Sequence, residues 1–262
     1  MPLAMIGLEM IHYIRETGIR SGCPLLCFIH GAGGNCTHWV EQVAGLKHLG
    51  SIIAVDLPGH GQSQGSGRKT IREYSQFLHQ FLAHITAYTQ PNHPGVILAG
   101  HSMGGGIVMD YALQYPNDLK GAILVATGAK LRVAPQIFER IQAGPEHVAD
   151  LVPWFFSSSA KPELLQRARE ELCKVKPQVL YNDFRACDQF DLMEKISMIR
   201  VPSLIICGQE DRLTPIKYAQ YLQDHIPDSR VSVIEEAGHM VMLEQAKKVN
   251  QAIEDFVLGF KN

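Results

Sequence analysis

The chain has 262 residues, 46% hydrophobic and 19% charged, with a net charge of −2. That length fits one α/β core as readily as two smaller domains. The near-neutral balance offers no basic face for a nucleic acid, and there is no run of five like charges of the kind that makes an interaction tail.

Residues 1–10 carry Glu9 and no basic run, which is unlike a secretory signal, so the expected compartment is the cytoplasm. The longest stretch without Asp, Glu, Lys or Arg is 74–109. Histidines, Pro91, Pro94 and a glycine cluster interrupt it, so no membrane span is expected. Six scattered cysteines contain no C-x-x-C pair, which argues against a disulfide framework and against a zinc site. Most read as small buried apolar residues.

In chain order, 8–14 predicts an antiparallel edge strand. Leu25–Ile29, 51–55, 96–99, 122–126, 203–207 and 231–234 are short apolar runs, most of them suited to a strand buried on both faces. Thr70 and Glu73 form a capping box ahead of a helix whose buried stripe is Ile71, Tyr74, Leu78, Phe81, Leu82 and Ile85. A helical stretch at 107–115 follows the third of these parallel strands. Thr214-Pro215 reads as an N-cap with proline in the first turn of a helix that stops before Pro227, and a last helix covers 240–257. The alternation implies an α/β fold with a mostly parallel sheet and helices on both faces. It breaks at 134–199, where four helix-like segments open near Pro135, Pro145, Pro162 and Pro177 and no strand intervenes. The expected division is a core of 1–133 and 200–262 with a helical cap at 134–199. The alternative is that these helices only cover a sheet face.

The strongest local signal is Gly100-His101-Ser102-Met103-Gly104, directly after the strand at 96–99. A serine on a tight strand-to-helix turn is held in a strained conformation, with its hydroxyl at the carboxyl edge of the sheet beside a helix N-terminus. A serine hydroxyl is a weak nucleophile without a base, and the base needs an acid to orient it. His239, in the loop after 231–234, is the best-placed of 12 histidines, and Asp211 follows the strand at 203–207. Asp56, in the loop after an earlier strand, reads as a turn-bracing carboxylate. His30, His60 and His101 read as loop or packing residues, and Cys36 as packing. Trp154, Phe155 and Phe156 are candidates for the wall of a substrate pocket, with packing inside the helical segment as the other reading.

Together with His30-Gly31-Ala32-Gly33-Gly34 after a strand and Asp56-Leu57-Pro58-Gly59-His60-Gly61-Gln62-Ser63, these motifs resemble the α/β-hydrolase fold family over essentially the whole chain. The insertion point is similar to that of its capped esterases. The order Ser102, Asp211, His239 is the one known for that fold. The resemblance implies a Ser-His-Asp triad and an oxyanion hole made by the backbone N–H groups of Ala32 and Met103. The substrate expected is a small to medium carboxylic ester, with no metal and no cofactor required. A lactonase, a thioesterase or a carbon–carbon bond hydrolase could use the same triad, and a non-catalytic small-molecule receptor could use the same fold. The sequence carries no signal of oligomeric state.

Overall fold

The computed structural model describes residues 2–18, 23–89 and 95–261. Eight strands form one sheet in the order β1-β2-β4-β3-β5-β6-β7-β8. They are β1 (Leu3–Ile6), β2 (Glu9–Glu16), β3 (Leu25–Ile29), β4 (Ile52–Val55), β5 (Val96–His101), β6 (Leu119–Val125), β7 (Ser203–Gly208) and β8 (Ser229–Ile234). From β4 to β8 every pairing is parallel, while β1 and β2 join antiparallel.

Parallel strands need crossovers, and the crossover helices cover both faces. Period-two alternation divides the apolar residues between those faces. On β3, Leu25, Cys27 and Ile29 pack with α2 (Ile71–Thr89), α3 (Met103–Gln114) and α9 (Ile216–His225). Leu26 and Phe28 pack on the other side with α1 (Val40–Leu46) and α11 (Ala246–Leu258). The Thr70–Glu73 box closes in both directions: the Glu73 N–H donates to the Thr70 hydroxyl at 3.1 Å, and the Thr70 N–H to the Glu73 carboxylate at 3.1 Å.

Four expectations change in detail. The edge strand at 8–14 is a hairpin of two strands, because Gly7-Leu8 is a turn. Helix α3 begins at Met103 rather than near residue 107. Its first turn is glycine because a Cβ on Gly104 would stand 2.5 Å from the Ile29 carbonyl. The last helix is two pieces, α10 (Val241–Glu244) and α11, with Gln245 between them out of helical geometry at φ −127° and ψ 49°. Thr214 does not cap α9, since Pro215 takes that place.

Between β6 and β7 lie α4 (Pro135–Ala143), α5 (Pro145–Ala149), α6 (Val152–Phe155), α7 (Pro162–Lys174) and α8 (Pro177–Asp188). All but α6 start on the expected proline; α6 starts one residue before Pro153. They share a small core of Ile137, Ile141, Val148, Leu151 and Leu180. Their inner residues reach further: Val152 and Phe156 join one sheet core, Ala186 and Cys187 the other. The chain enters and leaves this segment through a narrow neck. There the Leu192 N–H donates to the Ala129 carbonyl at 2.8 Å, and the Lys130 ammonium meets the Asp191 carboxylate at 2.6 Å. Among the described residues no helix is long and apolar enough to cross a membrane.

Candidate active site

Strand β5 ends at His101, and Ser102 follows with φ 51° and ψ −113°. A side chain in that region costs on the order of 1–3 kcal/mol and persists only where neighbours over-determine it. Here the Ser102 N–H donates to the Val125 carbonyl at 2.9 Å, and the Thr127 hydroxyl donates to the Ser102 carbonyl at 2.8 Å. The turn is therefore fastened to β6 from both sides, and the serine side chain is left facing a cavity.

The loop after β7 carries Asp211, which is buried. One carboxylate oxygen accepts the N–H groups of Leu213 and Thr214 at 2.8 and 2.9 Å. The other accepts the Thr214 hydroxyl at 2.7 Å and His239 Nδ1 at 2.9 Å. Burial by itself would raise this carboxyl, but the His239 ring and those donors hold it well below the usual carboxylate range. With Nδ1 donating to Asp211, the lone pair of His239 sits on Nε2, and the ring lines the same cavity as Ser102. Asp211 and His239 are thus joined directly. Among the described residues, Ser102 and His239 share the cavity without a hydrogen bond between them.

Beside the serine runs the loop 30–34. His30 accepts the Leu57 N–H on Nε2 at 3.0 Å and donates from Nδ1 to the Gly31 carbonyl at 2.8 Å. Burial, with His60 nearby, pushes the His30 pKa well down, so it is a neutral strut. His101 Nε2 donates to the His239 carbonyl at 2.9 Å, and burial lowers its pKa as well. Ala32 lines the cavity and Met103 opens α3; among the described residues neither N–H meets an acceptor.

Two cavity arms meet at Ala32, Ser102, Phe184, Leu213 and His239. The first, about 200 Å³, is walled by Phe155, Phe156, Leu164, Leu172 and Leu243. The second, about 380 Å³, is bounded by Leu131, Val133, Trp154 and Tyr218, with Lys130, Arg132 and Arg212 also on its lining. Of the three aromatic candidates, Phe155 and Phe156 therefore face one arm and Trp154, 44% exposed, faces the other. Phe156 also belongs to the sheet core.

Among the described residues one group has metal-ligand chemistry: buried His12, Cys36 and Asp56. Asp56 already accepts from His12 Nδ1 at 2.7 Å, the Cys36 N–H at 2.6 Å and the Gln62 N–H at 2.9 Å. Those bonds fasten the 56–63 turn to β2 and to the loop after β3, which is the bracing role its position suggested.

Sequence reasoning missed Thr214, Phe184, Leu213 and Asp183. The D-x-x-T spacing of Asp211 and Thr214 is a recognisable side-chain-to-backbone turn. Nothing local marks Asp183, a buried carboxylate on α8 whose partners lie more than 100 residues away.

A family model described as the alpha/beta hydrolase family matches residues 28–252. Monoacylglycerol lipase ABHD6 of Mus musculus is 27% identical, over 91% of this chain and 77% of its own length. The 3-oxoadipate enol-lactonase 2 of Acinetobacter baylyi is 26% identical, over 90% of each. Among solved structures, a thermophilic esterase superposes with TM-score 0.84 at 32% identity, covering 98% of this chain and 97% of its own. The enol-lactonase of Burkholderia xenovorans LB400, 20% identical over 98% of this chain and 100% of its own, shares the fold at TM-score 0.88. With a match over most of its length and a strand order and strand-to-helix turn of this form, the chain belongs to the alpha/beta hydrolase family.

Proposed function

We propose that the protein hydrolyses small to medium carboxylic esters through an acyl-enzyme on Ser102, with His239 as base, Asp211 orienting it, and the Ala32 and Met103 N–H groups as oxyanion hole. The observation that carries this reading is the buried Asp211–His239 hydrogen bond, which presents Nε2 to the cavity holding the strained serine. In the first half-reaction Nε2 takes the Ser102 proton as Oγ bonds to the carbonyl carbon, and the π pair moves onto oxygen. The two N–H groups stabilise that charge. Collapse restores the carbonyl and expels the alcohol oxygen, which leaves with the proton from His239. Water then repeats the sequence: His239 takes its proton, the tetrahedral adduct collapses, and the proton returns to Ser102. This chemistry needs no metal or organic cofactor. The helices of 134–199 act as the cap, contributing Phe155, Phe156, Leu164 and Leu172 to one arm and Trp154 to the other. A series of p-nitrophenyl esters of rising acyl length tests the reading, run with Ser102→Ala beside the native chain. Turnover and labelling by a fluorophosphonate are expected to disappear together in the variant, and persistence of either overturns the assignment.

A lactone hydrolase is the second reading, favoured by the larger arm. Its lining has no carboxylate and carries Arg132 and Arg212 beside Lys130, itself paired with Asp191, so the acid group of an anionic lactone would be met there by the two arginines. An anionic lactone hydrolysed faster than neutral esters, and slowed by Arg132→Gln or Arg212→Gln, would establish it.

A further inference from the structure

We propose that Asp183, on the inserted helix α8, is a positioning residue that fixes the loop carrying Ala32 and so aims the Ala32 N–H at the reacting carbonyl oxygen. The proposal rests on the serine-hydrolase reading above. The Asp183 side chain is fully buried and holds three donors from three separate parts of the core. One oxygen accepts the Gly33 N–H at 2.8 Å and His60 Nε2 at 2.7 Å; the other accepts the Tyr74 hydroxyl at 2.7 Å.

A buried carboxylate is costly unless paired and saturated with donors. Here the counter-charge is His60: burial is the largest single influence and opposes its protonation, but Asp183, together with the Pro58 carbonyl and Asp56, raises its pKa overall. His60 also bonds the Pro58 carbonyl at 3.1 Å, so the 56–63 turn is held by the same carboxylate.

The consequence for the loop is geometric. Gly33 sits at φ +64°, with α8 directly above it, and a Cβ there would stand 2.6 Å from Leu180 Cδ1. Its N–H has one acceptor, the Asp183 carboxylate. The peptide plane between Ala32 and Gly33 is therefore set by a residue of the insertion, one position along the chain from the candidate oxyanion donor. The next residue on α8, Phe184, lines both cavity arms. Substrate wall and oxyanion loop thus hang on adjacent residues of one helix turn. Donors of this kind work only within a fraction of an ångström of their position.

The test compares Asp183→Ala, Asp183→Asn and Tyr74→Phe with the native protein on one activated ester. In Asp183→Ala the Gly33 N–H loses its acceptor, and kcat is expected to fall by about tenfold to a hundredfold with KM changed less than about threefold. Asparagine keeps an acceptor oxygen for Gly33 and can donate to Tyr74, so Asp183→Asn restores most of kcat. Tyr74→Phe removes a bond to the same carboxylate without touching the loop and leaves kcat near native. A purely structural role gives a different pattern: lowered melting temperature in Asp183→Ala and Tyr74→Phe alike, with native kcat per folded molecule. Should Asp183→Ala fail to fold, Asp183→Leu combined with His60→Phe and Tyr74→Phe removes the two side-chain donors together with the carboxylate, leaves only the Gly33 N–H without its acceptor, and carries the same expectation for kcat. Native kcat in whichever of these two folds overturns the proposal. Ser102→Ala measured alongside separates the two readings, because activity surviving there overturns the site itself.

Discussion

At Asp211 four donors converge on one side chain, and their number decides what a substitution should do. Asp211→Asn keeps the shape but places an amide where His239 must donate, which favours the wrong tautomer. We expect kcat to fall by orders of magnitude, roughly 10⁴-fold as in other triads, with a small change in melting temperature. Thr214→Val removes a single hydroxyl from the same oxygen, so kcat should fall by less than about tenfold. Glu210→Gln should leave kcat near native, since that carboxylate is exposed and serves Ser158 at 2.9 Å instead. Steady-state kinetics on the three variants check the order, and Glu210→Gln proving the most damaging would displace Asp211. At this scale the sequence was most readable where chemistry demands a local pattern. Ser102 lies in a constrained turn, and Asp211 and His239 each follow a strand. Asp183 was invisible because a buried carboxylate is defined by what surrounds it, and its partners are brought in by the fold.

Among the elements, the strands were legible because a sheet covered on both faces demands continuous apolar runs. Boundaries were less so: α3 started earlier than periodicity suggested because its first turn is glycine, chosen for close approach to β3 rather than for amphipathicity. The break at Gln245 was hidden for a similar reason. The Glu244 carboxylate is drawn off to the N–H groups of Ser157 and Gly238, each at 2.8 Å, a tertiary demand with no local period. The aromatic run on α6 separates into distinct duties. Trp154→Ala should change selectivity for the group occupying the larger arm while leaving the melting temperature within a few degrees, because the ring is 44% exposed. Phe156→Ala should cost about 3–5 kcal/mol of stability, because that ring is buried in the sheet core. Thermal melts run beside an ester-length series tell the two apart. A length profile unmoved by Trp154→Ala would remove that ring from the binding surface.

For the whole molecule, the buried imidazoles set a pH response. His30 and His101 are held neutral by burial, and His38 is lowered to about 4, also chiefly by burial. A lowered folded pKa means that the unfolded chain binds these protons first. Stability is therefore intact above the unfolded histidine pKa of about 6.5 and falls as the pH drops below it. His60 works the other way near neutrality, its raised folded pKa adding stability as the pH falls toward about 6.5, and it drops out only well below that, where both states are protonated. Urea melts at about pH 6 and about pH 5, below the range where His60 contributes, should differ by up to about 1.4 kcal/mol for each such proton. A flat profile would mean the rings accept protons without unfolding. The neck at Ala129–Leu192 has an evolutionary consequence. Both ends of the segment are gathered by the Leu192–Ala129 and Leu131–Phe190 backbone bonds and the Lys130–Asp191 ion pair, so the strands need not shift when chain is added to the outer helices. Doubling such a loop costs only about 0.6 kcal/mol in closure entropy. The outer helices are in effect an exchangeable cassette, whereas Val152, Phe156, Ala186 and Cys187, packed into the two sheet cores, are fixed. By the role proposed for Asp183, a replacement cassette must still bring one acid to the place above Gly33.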